Sequence, residues 1–253
     1  MFRHQGKNRT AQHNLQIASL LSFVAGIVNV AGFLSVQRLT TNVTGHFAYL
    51  IEAVFEFHFL AAFVFLLYLF FFFLGSFISS FLVEYVALKN VNNTYIYPII
   101  IEIIIFCVIP LFGKNFCFLH PNIIACGLLF AMGLQNSLVT KISNASVRTT
   151  HLTGLFTDLG IEISQLIFQK DPEKRTKLFS SIKLRFIIIG FFFMGGIFSA
   201  FLYQKIQLNV LVIASFLLIF GLIYDKLKLK IASIKSKNRF LNSAISKPRG
   251  EIL

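Results

Sequence analysis

Residues Phe71–Leu82 read FFFLGSFISSFL, and residues Phe191–Leu202 read FFFMGGIFSAFL; the two strings align without a gap on Gly75/Gly195 and Ser79/Ser199. Self-similarity at a fixed spacing is the first feature to settle in a chain, because it sets the architecture. The small residues Gly75, Ser76, Ser79 and Ser80, and likewise Gly195, Gly196, Ser199 and Ala200, recur at helical spacing on one side. Helices in lipid approach through such faces, since backbones come close where side chains are small. Each string is therefore expected to pack against the other, or against that string's neighbours, where two repeats meet.

Outward from these strings the chain is apolar throughout. Of 253 residues 56% are hydrophobic and 13% charged, with 32 Phe and no Trp, against roughly a quarter charged in a soluble domain. Runs such as FLAAFVFLLYLFFFFLGSFISSFLV and IYPIIIEIIIFCVIPLF approach or exceed the roughly 17–25 residues a spanning helix needs. The fold class is all-α integral membrane protein, with four apolar segments followed by four more in the same order. The first repeat covers about residues 17–112 and the second about 121–224, between a basic stretch 1–16 and a basic tail 225–253. AGIVN, ending at Asn29, corresponds to MGLQN, ending at Asn136; a polar bend and a Thr-Gly pair follow each, at Thr44-Gly45 and Thr153-Gly154. The last segments, around Glu102 and from Leu211 to Tyr224, match only in position and hydropathy.

The second segment of each repeat, near 45–57 and 154–168, is at or below the lower length limit for a span. If both cross, there are eight spans in two parallel halves. If both are re-entrant, there are six full spans and the halves run in opposite directions. The net charge of +13 is concentrated in Arg3, Lys7 and Arg9, in Lys170 to Arg185, and in the tail from Lys226 to Arg249. Such blocks mark cytoplasmic segments, so both termini are expected on the cytoplasmic side of the membrane under either scheme. Lys141 and Arg148 favour an inside location for the loop they share, which is the re-entrant scheme. Lipid head groups are the expected partner of the tail, and nucleic acid is not expected.

Irregular polar backbone at membrane depth must be buried in protein or line a watery cavity. A Thr-Gly pair opening a short helix supplies a capping hydroxyl and presents free N–H groups and a positive dipole end, a setting for an anion. Two such helix starts facing one another would resemble the discontinuous helices of transporters. The candidate solute-binding residues are Asn29, Thr44, Gly45, His46, Gln135, Asn136, Arg148, Thr149, Thr150, Thr153 and Gly154. Asp158/Glu162 and Glu52/Glu56 are acidic pairs at i, i+4, each on one helical face, and are the candidate proton or ion coupling sites. The structural alternative is that these polar atoms cap helices, anchor to head groups or fix packing. Cys107, Cys117 and Cys126 form no CxxC pair, so neither a metal site nor a disulfide framework is expected. HExxH, GxSxG, phosphate-loop and dinucleotide signatures are lacking, so no enzyme activity and no cofactor are expected.

The strings AGIVNVAGFLSVQRLTTNVTGHFAYL (25–50) and AMGLQNSLVTKISNASVRTTHLTGLFTDLG (131–160) resemble the paired signatures of the YoaK-like family of bacterial polytopic membrane proteins, domain-of-unknown-function family 1275. The likeness runs from about Ile17 to Tyr224. It implies a bacterial inner-membrane protein and carries over Asn29, Thr44 and Gly45, and Gln135, Asn136, Arg148, Thr149, Thr150, Thr153, Gly154, Thr157 and Asp158. His46 stands where the family commonly has Asn. Together these readings point to a permease resembling secondary transporters for a small, anionic solute, with a non-transporting scaffold or partner subunit as the alternative and an intramembrane enzyme behind both.

Overall fold

A computed structural model of the chain describes residues 11–89, 94–112, 116, 119–143, 145–225 and 227. The N-terminal basic residues, Cys117 and the tail beyond Leu227 lie outside the described residues. Seven α-helices follow in order: α1 Ala11–Val36, α2 Val43–Phe55, α3 Phe59–Lys89, α4 Ile96–Leu111, α5 Pro121–Ile142, α6 Leu152–Phe168 and α7 Pro172–Ile206. A 3₁₀ turn Gln207–Asn209 leads into an eighth helix, α8, over residues 210–225. No strand occurs among the described residues. Among the described residues, four stretches are long and apolar enough to cross a membrane: Gln12–Val36, Phe59–Leu88, Pro121–Ile142 and the continuous Pro172–Asp225.

Local chemistry sets several boundaries. Asn42 caps α2 by accepting a hydrogen bond from the Gly45 N–H at 3.0 Å, and Asp171 caps α7 by accepting from the Glu173 N–H at 2.9 Å, with Pro172 in the first turn. The cap of α2 is thus Asn42 and not the Thr44 hydroxyl. A left-handed residue follows each of α1 and α5, Gln37 directly after α1 at φ 53° and Ala145 three residues past the end of α5 at φ 61°. Their N–H groups return to Phe33 O and Thr140 O at 2.9 and 2.8 Å. A left-handed residue at a helix terminus turns the chain back on itself, and both polar bends begin with that reversal.

α1 and α5 form the centre, with 61% and 67% of their most apolar stretches buried, against 17% for α3. The most extensive packing joins α1 to α7 and α3 to α5. At the first crossing a Cβ on Gly26 would fall on the Phe192 carbonyl oxygen and one on Gly195 on the Phe23 carbonyl oxygen. At the second, a Cβ on Gly133 would fall on Phe72 O and one on Gly75 on Phe130 O. Only glycine permits either approach. Ser199 Oγ donates to Ile27 O at 3.0 Å across the first crossing, and Ser76 Oγ donates to Gly133 O at 3.1 Å across the second. The partners of the two Phe-rich strings are thus α5 and α1, not each other.

The contacts also fix directions. Gln135 Nε2 donates to Leu21 O, while Leu128 lies against Gly32, so α1 and α5 are antiparallel. Tyr68 meets Asn122, Ser76 meets Gly133, and Lys141 meets Ser80 and Glu84, so α3 runs parallel to α5 and opposite to α1. α2 lies on α3, α6 on α7, and α4 against α5 and α3.

Candidate functional site

The polar bends fold back toward the middle of the bundle. In the first, Thr40 is fully buried between Gly32 and Val28, its Oγ donating to Val28 O at 3.3 Å, and Thr41 donates to Asn29 Oδ1 at 2.7 Å. In the second, buried Thr149 donates to Asn136 Oδ1 at 3.4 Å and Thr150 to the same oxygen at 2.9 Å, while Gln135 Nε2 donates to Thr149 Oγ1 at 3.1 Å. Asn29 and Asn136 thus do the same work, each tying its bend to the helix before it. Val28 and Leu21, which mark the depth of the two bends on α1, are separated by about 10 Å along the axis.

The other sequence-predicted residues divide unequally. His46 is buried, with Nε2 2.6 Å from Leu39 O and its ring 4.9 Å from that of Tyr68. Thr44, Thr153 and Thr157 are exposed, and Thr157 donates to Thr153 O on its own helix. Gly45 and Gly154 lie in the first turns of α2 and α6; at Gly154 a Cβ would meet the imidazole of His151, which stands at the N-cap position and makes no side-chain cap bond. Glu52 and Glu56 are exposed on α2, and Glu56 pairs with His58 at 3.2 Å.

Asp158 and Glu162 do share one face, but a cation stands between them. Arg185 of α7 binds Asp158 at 3.0 Å and holds both Glu162 oxygens through Nε at 2.7 Å and Nη2 at 2.8 Å, while Ser181 donates to Glu162 at 2.6 Å. The bidentate fork is a strong charge-assisted arrangement. It offsets one of the two negative charges of the acidic pair and fastens α6 to α7.

Beside this latch lies a cavity of about 810 Å³. Arg148, His151, Gly154 and Asp158 line it from the second polar string, Lys183, Arg185, Ser180 and Ser181 from α7, and Asn14 from α1. Three cationic side chains therefore face one lining carboxylate. The two Thr-Gly helix starts do not face each other across this space, because the first string contributes no lining residue. Arg185 and Lys183 escaped the sequence reading because they sit in a charge block that reads as a topology signal. No group of three or more His, Cys, Asp or Glu side chains with metal-binding geometry occurs among the described residues.

Apolar helices of spanning length, small-residue crossings and a polar cavity at one end define a polytopic α-helical membrane protein. The chain belongs to the DUF1275 family, described as a protein of unknown function, whose model matches residues 17–224. It is 28% identical over 226 residues to the UPF0700 transmembrane protein YoaK of Bacillus subtilis (strain 168), covering 89% of this chain and 99% of that protein. No solved structure matches.

Proposed function

We propose that the protein is a permease resembling secondary transporters that moves a small anionic solute across a bacterial inner membrane, with both termini in the cytoplasm. The cavity at the basic end carries this reading. It leads from the end where Arg148, Lys183 and Arg185 lie to the first turn of α6, whose free N–H groups favour an anion. The antiparallel course of α1 and α5 and the like-for-like contacts at Gly26/Gly195 and Gly75/Gly133 support two inverted repeats. Since α1 and α3 run oppositely, α2 between them is read as re-entrant, and α6 likewise, leaving six full spans. Inverted repeats with helices that start inside the bundle are the architecture of alternating access.

Proteoliposomes of the full chain on a conducting support, challenged with phosphate, sulfate, nitrate and short carboxylates, test the reading. A current evoked by at least one of these anions is expected, with about tenfold loss or more in Arg148→Gln, as befits one charge-assisted bond. No current from any of them at full folded yield refutes the anion reading. Single cysteines at Asn42 and Ser146, with Cys107, Cys117 and Cys126 replaced, test the inversion. An impermeant thiol reagent should reach them from opposite sides, and labelling of both from one side refutes inverted halves.

A scaffold role, without enzyme activity, is the second reading. The use of Asn29, Asn136, Thr41, Thr150 and Gln135 in contacts within the protein favours it. On this reading, substitutions in the polar strings lower folded yield and alter no flux.

A further inference from the structure

We infer that Glu102, in the middle of α4, is an intramembrane protonation site whose proton leaves only when α4 opens to water. Glu102 is fully buried, and neither carboxyl oxygen has a hydrogen-bond partner. Its depth follows from its helix: Ile109 lies against Gly127 near the start of α5, and Glu102 is about 10 Å further along α4. That places it level with Gly133, at the crossing of α3 and α5. An ionised carboxylate without partners at such a depth is strongly disfavoured, so the residue is accommodated there as the neutral acid.

Among the described residues, the groups around it do not supply a counter-charge. On α5, Lys141 is held at the far end by Glu84 of α3 at 2.6 Å, and Cys126 is a thiol. On α3, Tyr68 is engaged with Asn122, and Tyr85 and Lys89 lie toward its end. The 3₁₀ turn carries no titratable residue, and Asp225 closes α8. On α4 itself, Tyr97 stands in the first turn and Cys107 contacts Ser215 of α8 at 3.3 Å.

Two features argue against a purely structural acid. The apolar length of α8, the segment matching α4 in chain order, contains no acid before Asp225, so the matched position does not require one. Pro110, in the last turn of α4, has no N–H to give the Phe106 carbonyl, which frees a backbone acceptor one turn from Glu102 and lets that end of the helix bend. Opening there lets water reach the carboxyl; Glu102 then gives its proton to water and stays ionised while hydrated, and takes one back before α4 closes. As a coupling site Glu102 rests on the permease reading; as a protonation site it does not.

The full chain in proteoliposomes is treated with a membrane-soluble carbodiimide, which adds to protonated carboxyls, and the adducts are mapped by peptide mass spectrometry. Glu102 should be modified in mildly acid buffer and escape a water-soluble carbodiimide. The adduct should fall at least about tenfold in alkaline buffer, since each pH unit above a pKa removes tenfold of the protonated form. Glu102→Gln should keep the folded yield and lose the adduct. Failure of Glu102 to react at any pH, or an adduct constant across the pH range, overturns the proposal. Where anion-evoked currents exist, Glu102→Gln should make them insensitive to an imposed pH gradient, and currents still driven by that gradient overturn the coupling role alone.

Discussion

The two short helices and the long helices they fold onto make two hairpins, α2 with α3 and α6 with α7, and these hairpins are stitched by opposite chemistry. The first is aromatic: His46, Tyr49, Phe65 and Tyr68 pack with ring centroids 4.9–6.2 Å apart, and its tip presents Phe55 and Leu60 at 83% and 85% exposure. The second is ionic, held by Arg185 on Asp158 and Glu162, and its tip carries Asp171, Glu173, Lys174 and Lys177. Both stand on the same kind of crossing, with paired glycines and a serine bonding to the facing backbone. The crossing fixes the backbone, so the hairpin above it is free to take the chemistry its surroundings demand. The exposed apolar side chains of the first tip, broken by the Glu56–His58 pair, suit an apolar boundary, and the charges of the second suit water and head groups.

Breaking the shared part should have the largest effect. Gly75→Ala and Gly195→Ala each place a Cβ against backbone, which cannot move aside as a side chain can, so each should cost about 3 kcal/mol or more in detergent unfolding. Gly190, with nothing within 4 Å of a Cβ, is the control: Gly190→Ala should be neutral or stabilising by up to about 1 kcal/mol. Unequal costs at Gly75 and Gly195 would end the comparison of the crossings.

Next come the parts that differ. Arg185→Gln strands two carboxylates, one of them mostly buried, and should cost about 2–3 kcal/mol. Adding Asp158→Asn and Glu162→Gln should restore most of that loss, and a triple variant no better than the single one would show that the latch is incidental. Asn29→Ala and Asn136→Ala should each cost about 1 kcal/mol, the usual scale for a polar contact between segments in a membrane, measured as the shift in thermal midpoint. Asn136 should lose more, because its oxygen accepts from both Thr149 and Thr150. The smallest change is at the caps: Asn42→Ala should cost about 0.5–1 kcal/mol, whereas His151→Asn should gain a few tenths by giving α6 the cap α2 already has.

Much of this was legible in residue order. The membrane class follows from apolar runs without charges, and the glycines and serines of the two Phe-rich strings mark faces that must be buried, since small residues are the means of close approach in lipid. The Thr-rich strings read as polar spots at depth, and Thr40, Thr149 and Gln135 are buried. Other features were beyond reading. Asn42 and His151 stand at the cap positions in place of the Thr of Thr-Gly, because cap identity depends on where the chain turns and the turn is set by left-handed Gln37 and Ala145. Arg185 looks like one more positive charge until α6 folds against it. The carboxyls of Asp158 and Glu162 are on one face by helical spacing alone, yet spacing says nothing of the guanidinium between them.

The sequence by itself determined that this chain is helical, membrane-embedded and built around small-residue faces, because these depend on composition and on period along one chain. Only the tertiary structure decided that the Phe-rich helices pack on α5 and α1, that α1 and α5 run antiparallel, and that the polar cavity belongs to the second string. Those facts depend on which backbones can approach closely enough to exchange a hydrogen bond, and contacts between distant segments leave no periodic trace in the order of residues.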